Sequence, residues 1–122
     1  MQKGSSTFVR VFFPRLSRAE LIRRLRERMV LLDPVLPLLQ VVLFGSYARG
    51  DYTVSSDVDL LVVYRGQPRE DAFALTKKVL DVPGLEPHVY AEGEFERAKD
   101  RIQRMTRDGV VLFSSMSRCN AP

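Results

Sequence analysis

The chain has 122 residues, of which 45% are hydrophobic and 28% are charged, and its net charge at pH 7 is +4. This length and composition predict one globular domain over residues 1–122, with flexible ends at residues 1–6 and 114–122. A single cysteine, Cys119, excludes a disulfide framework and a thiolate metal site, and the lack of a roughly 20-residue apolar run or a signal peptide predicts a cytoplasmic protein that does not cross a membrane.

Two elements are predicted in the N-terminal part of the chain. Apolar residues within residues 7–13 indicate a strand. Ser17 is followed three positions later by Glu20, which is the spacing of a capping box at the start of a helix. The helix is predicted at residues 17–32 because apolar residues recur there at helical spacing: Leu21, Leu25, Met29 and Leu32.

Strands and helices alternate through the rest of the chain. The predicted elements are a strand at 39–44, a short helix from 47, a strand at 58–64, a helix at 69–80, a strand at 85–90, a helix at 94–107 and a strand at 110–113. The apolar residues of the last helix are expected to face inward: Phe95, Ala98, Ile102 and Met105. This alternation predicts an α/β fold in which helices pack against a sheet.

The link between the two central strands carries the residues with the most specific chemistry. Gly45 and Ser46 follow the first strand, and a turn of small residues offers backbone N–H groups and a hydroxyl to phosphate oxygens. Asp57 and Asp59 stand at the start of the second strand, on one face because strand side chains alternate. Carboxylates can hold Mg²⁺ that bridges to the same phosphates, so the pattern predicts a metal–nucleotide site.

A longer string of residues resembles the nucleotidyltransferase superfamily that includes DNA polymerase beta. Its pattern is Gly-Ser, a short helix with Arg-Gly, and then Asp-x-Asp entering a strand. The matching residues are Gly45, Ser46, Arg49, Gly50, Ser56, Asp57 and Asp59. The match is closest to the minimal nucleotidyltransferases, small prokaryotic proteins of one domain, and extends to residues 85–113. The resemblance implies the polymerase beta-like fold, with a mixed sheet and an active site on one exposed face at the strand ends.

The resemblance also implies roles for individual residues. The chemistry needs a third carboxylate on a neighbouring strand, and Glu86 is the candidate, although the family usually has aspartate there. Pro87 follows it and cannot donate to a sheet ladder. The expected catalytic and metal-binding residues are Asp57, Asp59 and Glu86. The expected nucleotide-binding residues are Gly45, Ser46, Arg49 and Ser56.

The implied reaction is a Mg²⁺-dependent transfer of a nucleoside monophosphate, with two metal ions roughly 3.5–4 Å apart. ATP is the implied donor of AMP, and the acceptor is a hydroxyl of a protein or a nucleic acid. For so small a domain, the resemblance implies a partner protein of the HEPN class, the toxin of a toxin–antitoxin pair. The alternative is a non-catalytic or weakly active antitoxin that inhibits a HEPN partner by contact.

Several of these residues also have a purely structural interpretation. Ser46 could cap the helix that follows it, Asp57 could cap a turn, and Arg49 could be an ordinary surface arginine. His88 shares the face of Glu86 but is interpreted as a strand histidine. Two tyrosines flank the turn and could stack on a base or pack against the protein: Tyr47 and Tyr52.

Arginine residues concentrate in residues 15–28 and 97–107, and the isoelectric point is about 9.6. The simpler interpretation is two solvated helix faces. The alternative is a surface for an acidic partner or for RNA phosphate. In the first segment this alternative concerns four arginines: Arg23, Arg24, Arg26 and Arg28.

Overall fold

The computed structural model describes residues 16–53 and 56–115, and the strand predicted at residues 7–13 lies outside them. In chain order the described residues form α1 (Arg18–Leu32), β1 (Leu38–Phe44), α2 (Ser46–Arg49), β2 (Val58–Tyr64), α3 (Ala72–Leu80), β3 (Leu85–Ala91), α4 (Glu92–Arg97), α5 (Lys99–Met105) and β4 (Val110–Ser114). The predicted alternation of helices and strands from residue 17 onward is confirmed, with one predicted helix replaced by α4 and α5.

The strands form a mixed sheet in the order β3-β2-β1-β4, as predicted. β1 pairs antiparallel with both β2 and β4, whereas β2 and β3 run parallel. The parallel pair needs a crossover connection, and α3 provides it between the end of β2 and the start of β3. Within the described residues β3 is an edge strand, where Pro87 is tolerated although it has no N–H to donate.

Helices cover both faces of this sheet. One face packs against α1, α2 and α3 around side chains such as Leu25 and Leu60. The other face packs against α4 and α5 around side chains such as Leu61 and Ile102. Because β2 is buried on both faces, it is a nearly continuous apolar run instead of an alternating one. In the part of the chain described, no helix has the length and apolar character needed to span a bilayer.

The start of α1 has the predicted capping box. Ser17 Oγ accepts a hydrogen bond from the Glu20 backbone N–H (3.2 Å), and Glu20 Oε1 accepts one from the Ser17 backbone N–H (3.0 Å). These bonds lower the pKa of Glu20, since they stabilise its carboxylate form. The predicted apolar stripe of α1 is also fully buried: Leu21, Leu25, Met29 and Leu32.

Removing this cap should weaken the fold by a measurable amount. Ser17→Ala is expected to lower the free energy of unfolding by about 1 kcal/mol, because the Glu20 N–H loses its acceptor. Glu20→Gln is the matched control, since its side-chain carbonyl still accepts from Ser17. Wild-type stability should fall as pH drops through the lowered folded-state pKa of Glu20, and this dependence should be weaker in Glu20→Gln. Urea unfolding across acidic pH measures both effects, and equal stability of Ser17→Ala and wild type would contradict the assignment.

Two predicted helices have other bounds in the structure, and several further element ends differ by one residue. The helix predicted at 94–107 is divided at Ala98, whose non-helical backbone separates α4 from α5. The helix predicted at 69–80 starts at Ala72, because Arg69 turns to form an ion pair with Asp71, and residues two apart do not face each other on a helix. The strand predicted at 110–113 extends to Ser114. The inward side of the divided helix is as predicted, with Phe95 and Ile102 buried and Ala98 and Met105 packed against them.

Candidate active site

The register of the sheet brings Asp59, Glu86 and the turn after β1 to one edge. Phe44, the last residue of β1, pairs with Asp59 near the start of β2. Asp59 in turn pairs with Glu86 near the start of β3. Since β1 and β2 are antiparallel and β2 and β3 are parallel, the turn after β1 meets the first residues of both other strands. The turn at Gly45 and the acidic residues therefore lie side by side.

Gly45 is required by its backbone and by its closeness to Asp59. Its φ is 79°, in the region that residues with a side chain rarely adopt. A Cβ atom at this position would also overlap Oδ2 of Asp59. The turn is thus pressed against the Asp59 carboxylate, and backbone and carboxylate can face one ligand together.

Asp59 is the carboxylate of this edge that is partly buried. Its neighbours Val58 and Leu60 belong to the core beneath α1 and α3, so Asp59 points to the opposite face of the sheet, the one covered by α4 and α5. Burial raises the pKa of Asp59, the negative charges of Asp57 and Glu86 raise it further, and His88 opposes the rise. A bound cation would relieve both the burial and the repulsion.

His88 is a neighbour of Asp59 that the sequence interpretation missed. Its Nε2 lies 3.8 Å from Asp59 Oδ1, and its ring packs against Phe44 with centroids 5.2 Å apart. The spacing of two residues from Glu86 placed His88 on the correct face, but the contact depends on the register between β2 and β3. His88 therefore adjoins the candidate site, as a neighbour of the partly buried Asp59 carboxylate.

Glu86 lies on the predicted face but reaches outward. Leu85 and Pro87 on either side of it are buried, so Glu86 points to the face of Asp59, as its charge on Asp59 also indicates. The side chains of Glu86 and Asp57 are exposed. Within residues 16–53 and 56–115, no three His, Cys, Asp or Glu side chains are already gathered around a metal position. Oxygen donors of the kind that Mg²⁺ prefers are nevertheless present at this edge.

The remaining predicted nucleotide-binding residues are divided between two environments. Ser46 is the first residue of α2 and is not its cap, because Gly45 is the N-cap and no side chain caps this helix. Arg49 is exposed and its Nε lies 3.4 Å from Asp51 Oδ2. Ser56 closes a turn by accepting a hydrogen bond from the Thr53 N–H (2.8 Å). Ser46 thus adjoins the carboxylates through Gly45, whereas Arg49 and Ser56 contact residues of the connecting loop.

The two tyrosines beside the turn pack against the protein. Their rings stack on each other with centroids 4.1 Å apart and an interplanar angle of 10°. Tyr47 is buried and donates a hydrogen bond to the Leu16 carbonyl (3.2 Å), while Tyr52 Oη accepts one from the Arg18 N–H (3.2 Å). The packing interpretation is therefore correct, and the tyrosines connect the turn to the start of α1.

Comparison with known proteins supports the resemblance seen in the central string. The model of the nucleotidyltransferase domain family matches residues 22–112, which include every predicted site residue. Two curated proteins of Methanocaldococcus jannaschii, each named as a putative protein adenylyltransferase, match over short stretches. One is 67% identical over 24 residues, 20% of this chain and 24% of that protein. The other is 59% identical over 29 residues, 24% of this chain and 29% of that protein. The chain thus matches about a quarter of the length of these relatives.

Solved structures share the architecture. The structure of a putative nucleotidyltransferase from Sulfolobus solfataricus has a TM-score of 0.55 and 27% identity, covering 80% of this chain and 84% of that one. A toxin–antitoxin structure with AMP-PNP has a TM-score of 0.55 and 19% identity, covering 76% of each chain. A mutant of the toxin–antitoxin MntA-HpeT has a TM-score of 0.53 and 16% identity, covering 76% and 75%. The predicted polymerase beta-like fold is confirmed.

Proposed function

The chain belongs to the nucleotidyltransferase domain family, and we propose that it transfers AMP from ATP to a hydroxyl group of a partner protein. The observation that carries this proposal is the contact between the Gly45 turn and the Asp59 carboxylate, with two further carboxylates, Asp57 and Glu86, acting on the same group. The names of the curated relatives support a protein acceptor. The AMP-PNP in a toxin–antitoxin structure of this fold supports an adenosine nucleotide.

Different residues of this edge would have different roles in the reaction. Asp57, Asp59 and Glu86 would hold Mg²⁺, which when bound neutralises phosphate charge and makes the acceptor hydroxyl more acidic. The turn at Gly45 and Ser46 would position the triphosphate with its backbone N–H groups and the Ser46 hydroxyl. The acceptor oxygen then forms a bond to the α-phosphorus while the bond to the leaving pyrophosphate breaks. Glu86, which is exposed at this edge of the sheet, is suited to accept the proton of the acceptor hydroxyl.

The partner in this proposal is a HEPN-type toxin, with this chain as its antitoxin. The toxin–antitoxin structures of the same fold support a toxin as partner. A second function, inhibition by contact with weak or no transfer, is favoured by the exposure of Asp57 and Glu86. In the chain segments described, these side chains do not already enclose a metal position with Asp59.

Intact-mass spectrometry separates the two functions. A HEPN protein encoded beside this chain should gain the mass of one AMP group after incubation with the chain, ATP and Mg²⁺. Asp57→Asn is the control, since loss of one proposed metal ligand should prevent the gain. If the HEPN protein is inhibited without any change of mass, the transfer proposal fails and inhibition by contact replaces it.

A further inference from the structure

The two arginine-rich segments have different surroundings in the fold. On α1, the Arg24 guanidinium donates to the Asp81 carbonyl (2.9 Å), and Arg28 Nε donates to the Val79 carbonyl (2.9 Å). Both carbonyls lie at the C-terminal end of α3, where cationic side chains are favoured partners. Two of the four α1 arginines considered for an acidic partner therefore connect α1 to α3.

Among the residues that the structure describes, the cations of the second segment have no such partners. We call them the basic row, and they are Arg97, Lys99, Arg101, Arg104 and Arg107. All are exposed, and none forms an ion pair or a side-chain hydrogen bond with another residue among 16–53 and 56–115. Within the part of the chain that the structure describes, no anionic side chain neutralises these cations.

The basic row also lies on the face of the sheet that carries the site. α5 contributes Ile102 to the core cluster that also contains Phe44 and Leu61, on the face to which Asp59 and Glu86 point. The chain after α5 then approaches the site edge, because Val110 pairs with Leu43, two residues before Gly45. The C-terminal end of the row is therefore followed by the strand that pairs with the end of β1, just before the Gly45 turn. The α1 helix covers the opposite face.

Two shallow concavities contain the row. One is lined by Arg97, Arg101 and Arg104 together with Glu96 and Asp100. The adjoining one is lined by Arg104, Arg107, Gln103 and Asp100. Carboxylates thus stand among the cations on this surface. They would repel the continuous phosphates of a nucleic acid, whereas a protein surface can match both signs of charge.

We propose that the basic row docks a predominantly acidic patch of the acceptor protein and so presents its hydroxyl to the site. This inference rests on the proposed function, because it supplies the acceptor of that reaction with a binding surface. Charge complementarity favours this occupant, since five exposed cations lack anionic partners among the described residues. Docking of this kind acts mainly through the rate of association and depends on ionic strength.

The test compares two double variants that remove the same charge. Arg101→Gln with Arg104→Gln changes the basic row, and Arg23→Gln with Arg26→Gln changes exposed arginines of α1 on the other face. The probe is a fluorescein-labelled peptide of about 20 residues, in which glutamates predominate, a few lysines are interspersed and one central tyrosine supplies the hydroxyl. Binding is followed by fluorescence anisotropy at several salt concentrations. The row variant should bind it about fivefold more weakly with a flatter salt dependence, while the α1 variant keeps wild-type binding.

Two outcomes would overturn the proposal. One is an equal weakening of peptide binding in both double variants, which would mean that the effect comes from net charge and not from the basic row. The other is tighter binding of a 20-nucleotide oligouridine than of the acidic peptide, which would identify the row as an RNA surface. Melting shifts with ATP and Mg²⁺ are measured on the same variants and report on the nucleotide site alone. If the wild-type protein binds the peptide but its melting temperature does not rise with ATP and Mg²⁺, the proposed function is contradicted. The docking surface itself is then still supported by the peptide binding.

Discussion

Asp59→Asn is expected to remove most of the stabilisation that ATP and Mg²⁺ together give the wild-type protein. A ligand that binds only the folded state at a hundredfold excess over its dissociation constant raises the free energy of unfolding by about 2.7 kcal/mol. Asp59 is the carboxylate pressed against the Gly45 turn, so its charge is central to any metal held there. AMP transfer should fall by about a hundredfold or more, equivalent to about 2.7 kcal/mol of transition-state stabilisation.

Without ligand the same substitution should leave the protein as stable as the wild type, or slightly more stable. The pKa of Asp59 is raised in the folded state by burial and by its acidic neighbours. Below the ordinary pKa of aspartate, Asp59 is protonated in both the folded and the unfolded chain. Its ionisation then does not lower the free energy of unfolding. As pH rises through the raised folded-state pKa, the native carboxylate ionises in an unfavourable setting and stability is lost. Asparagine cannot ionise and avoids this loss.

Thermal unfolding with and without ATP and Mg²⁺, between mildly acidic and neutral pH, measures both effects. Glu27→Gln is the control for a change of one charge, since Glu27 is exposed on α1, which covers the opposite face of the sheet. It should keep the full ligand-induced shift. An equal shift in Asp59→Asn and wild type would exclude Asp59 as a metal ligand.

The features that could be predicted from the sequence depend on neighbours in the chain. The capping box of Ser17 and Glu20 spans three positions, and the turn at Gly45 follows directly from the strand before it. The alternation of strand side chains predicted that Asp57 and Asp59 share a face. In the structure Asp57 lies just before β2, and its charge acts on Asp59. The order of small, basic and acidic residues in the central string carried the family resemblance, which the match over residues 22–112 supports.

The features that could not be predicted depend on contacts between distant segments. The pairing of Asp59 with Glu86 and the approach of His88 follow from the register of two parallel strands, which no local pattern specifies. The bonds from Arg24 and Arg28 to the end of α3 likewise require the packing of two helices. The break at Ala98 divides an apolar pattern that remains continuous in the sequence, because α4 and α5 keep their apolar residues on one side.

The place of Pro87 bears directly on the strength of the site. A proline beside a proposed metal ligand would disrupt a central strand, but β3 is an edge strand among the described residues and pairs with β2 throughout Leu85–Ala91. Glu86 is therefore held beside Asp59 by an intact ladder on one side. The N–H that Pro87 lacks is therefore no evidence against Glu86 as a metal ligand. The feature to test is the side chain of Glu86, which is longer than the aspartate usual in the family.

Glu86→Gln should slow AMP transfer by at least tenfold, which corresponds to about 1.4 kcal/mol of transition-state stabilisation. Glutamine keeps the size of the side chain but loses the charge that would hold a metal or accept the acceptor's proton. Binding of ATP with Mg²⁺ should persist, because the Gly45 turn, Asp57 and Asp59 are unchanged. The prediction is thus a loss in the rate of transfer with little change in the nucleotide-induced melting shift.

Glu86→Asp completes the test, since it restores the residue usual in the family at this position. The shorter carboxylate stays on the strand beside Asp59 and should preserve or raise the rate of transfer. Glu70→Gln, an exposed change outside the site edge, is the control and should leave the rate unaltered. Single-turnover transfer of labelled AMP to the partner protein measures all three. An unchanged rate of transfer in Glu86→Gln would mean that the Glu86 carboxylate takes no part in the reaction. Asp57 and Asp59 alone can hold a nucleotide but position an acceptor hydroxyl poorly. Inhibition by contact would then be the better account of this domain.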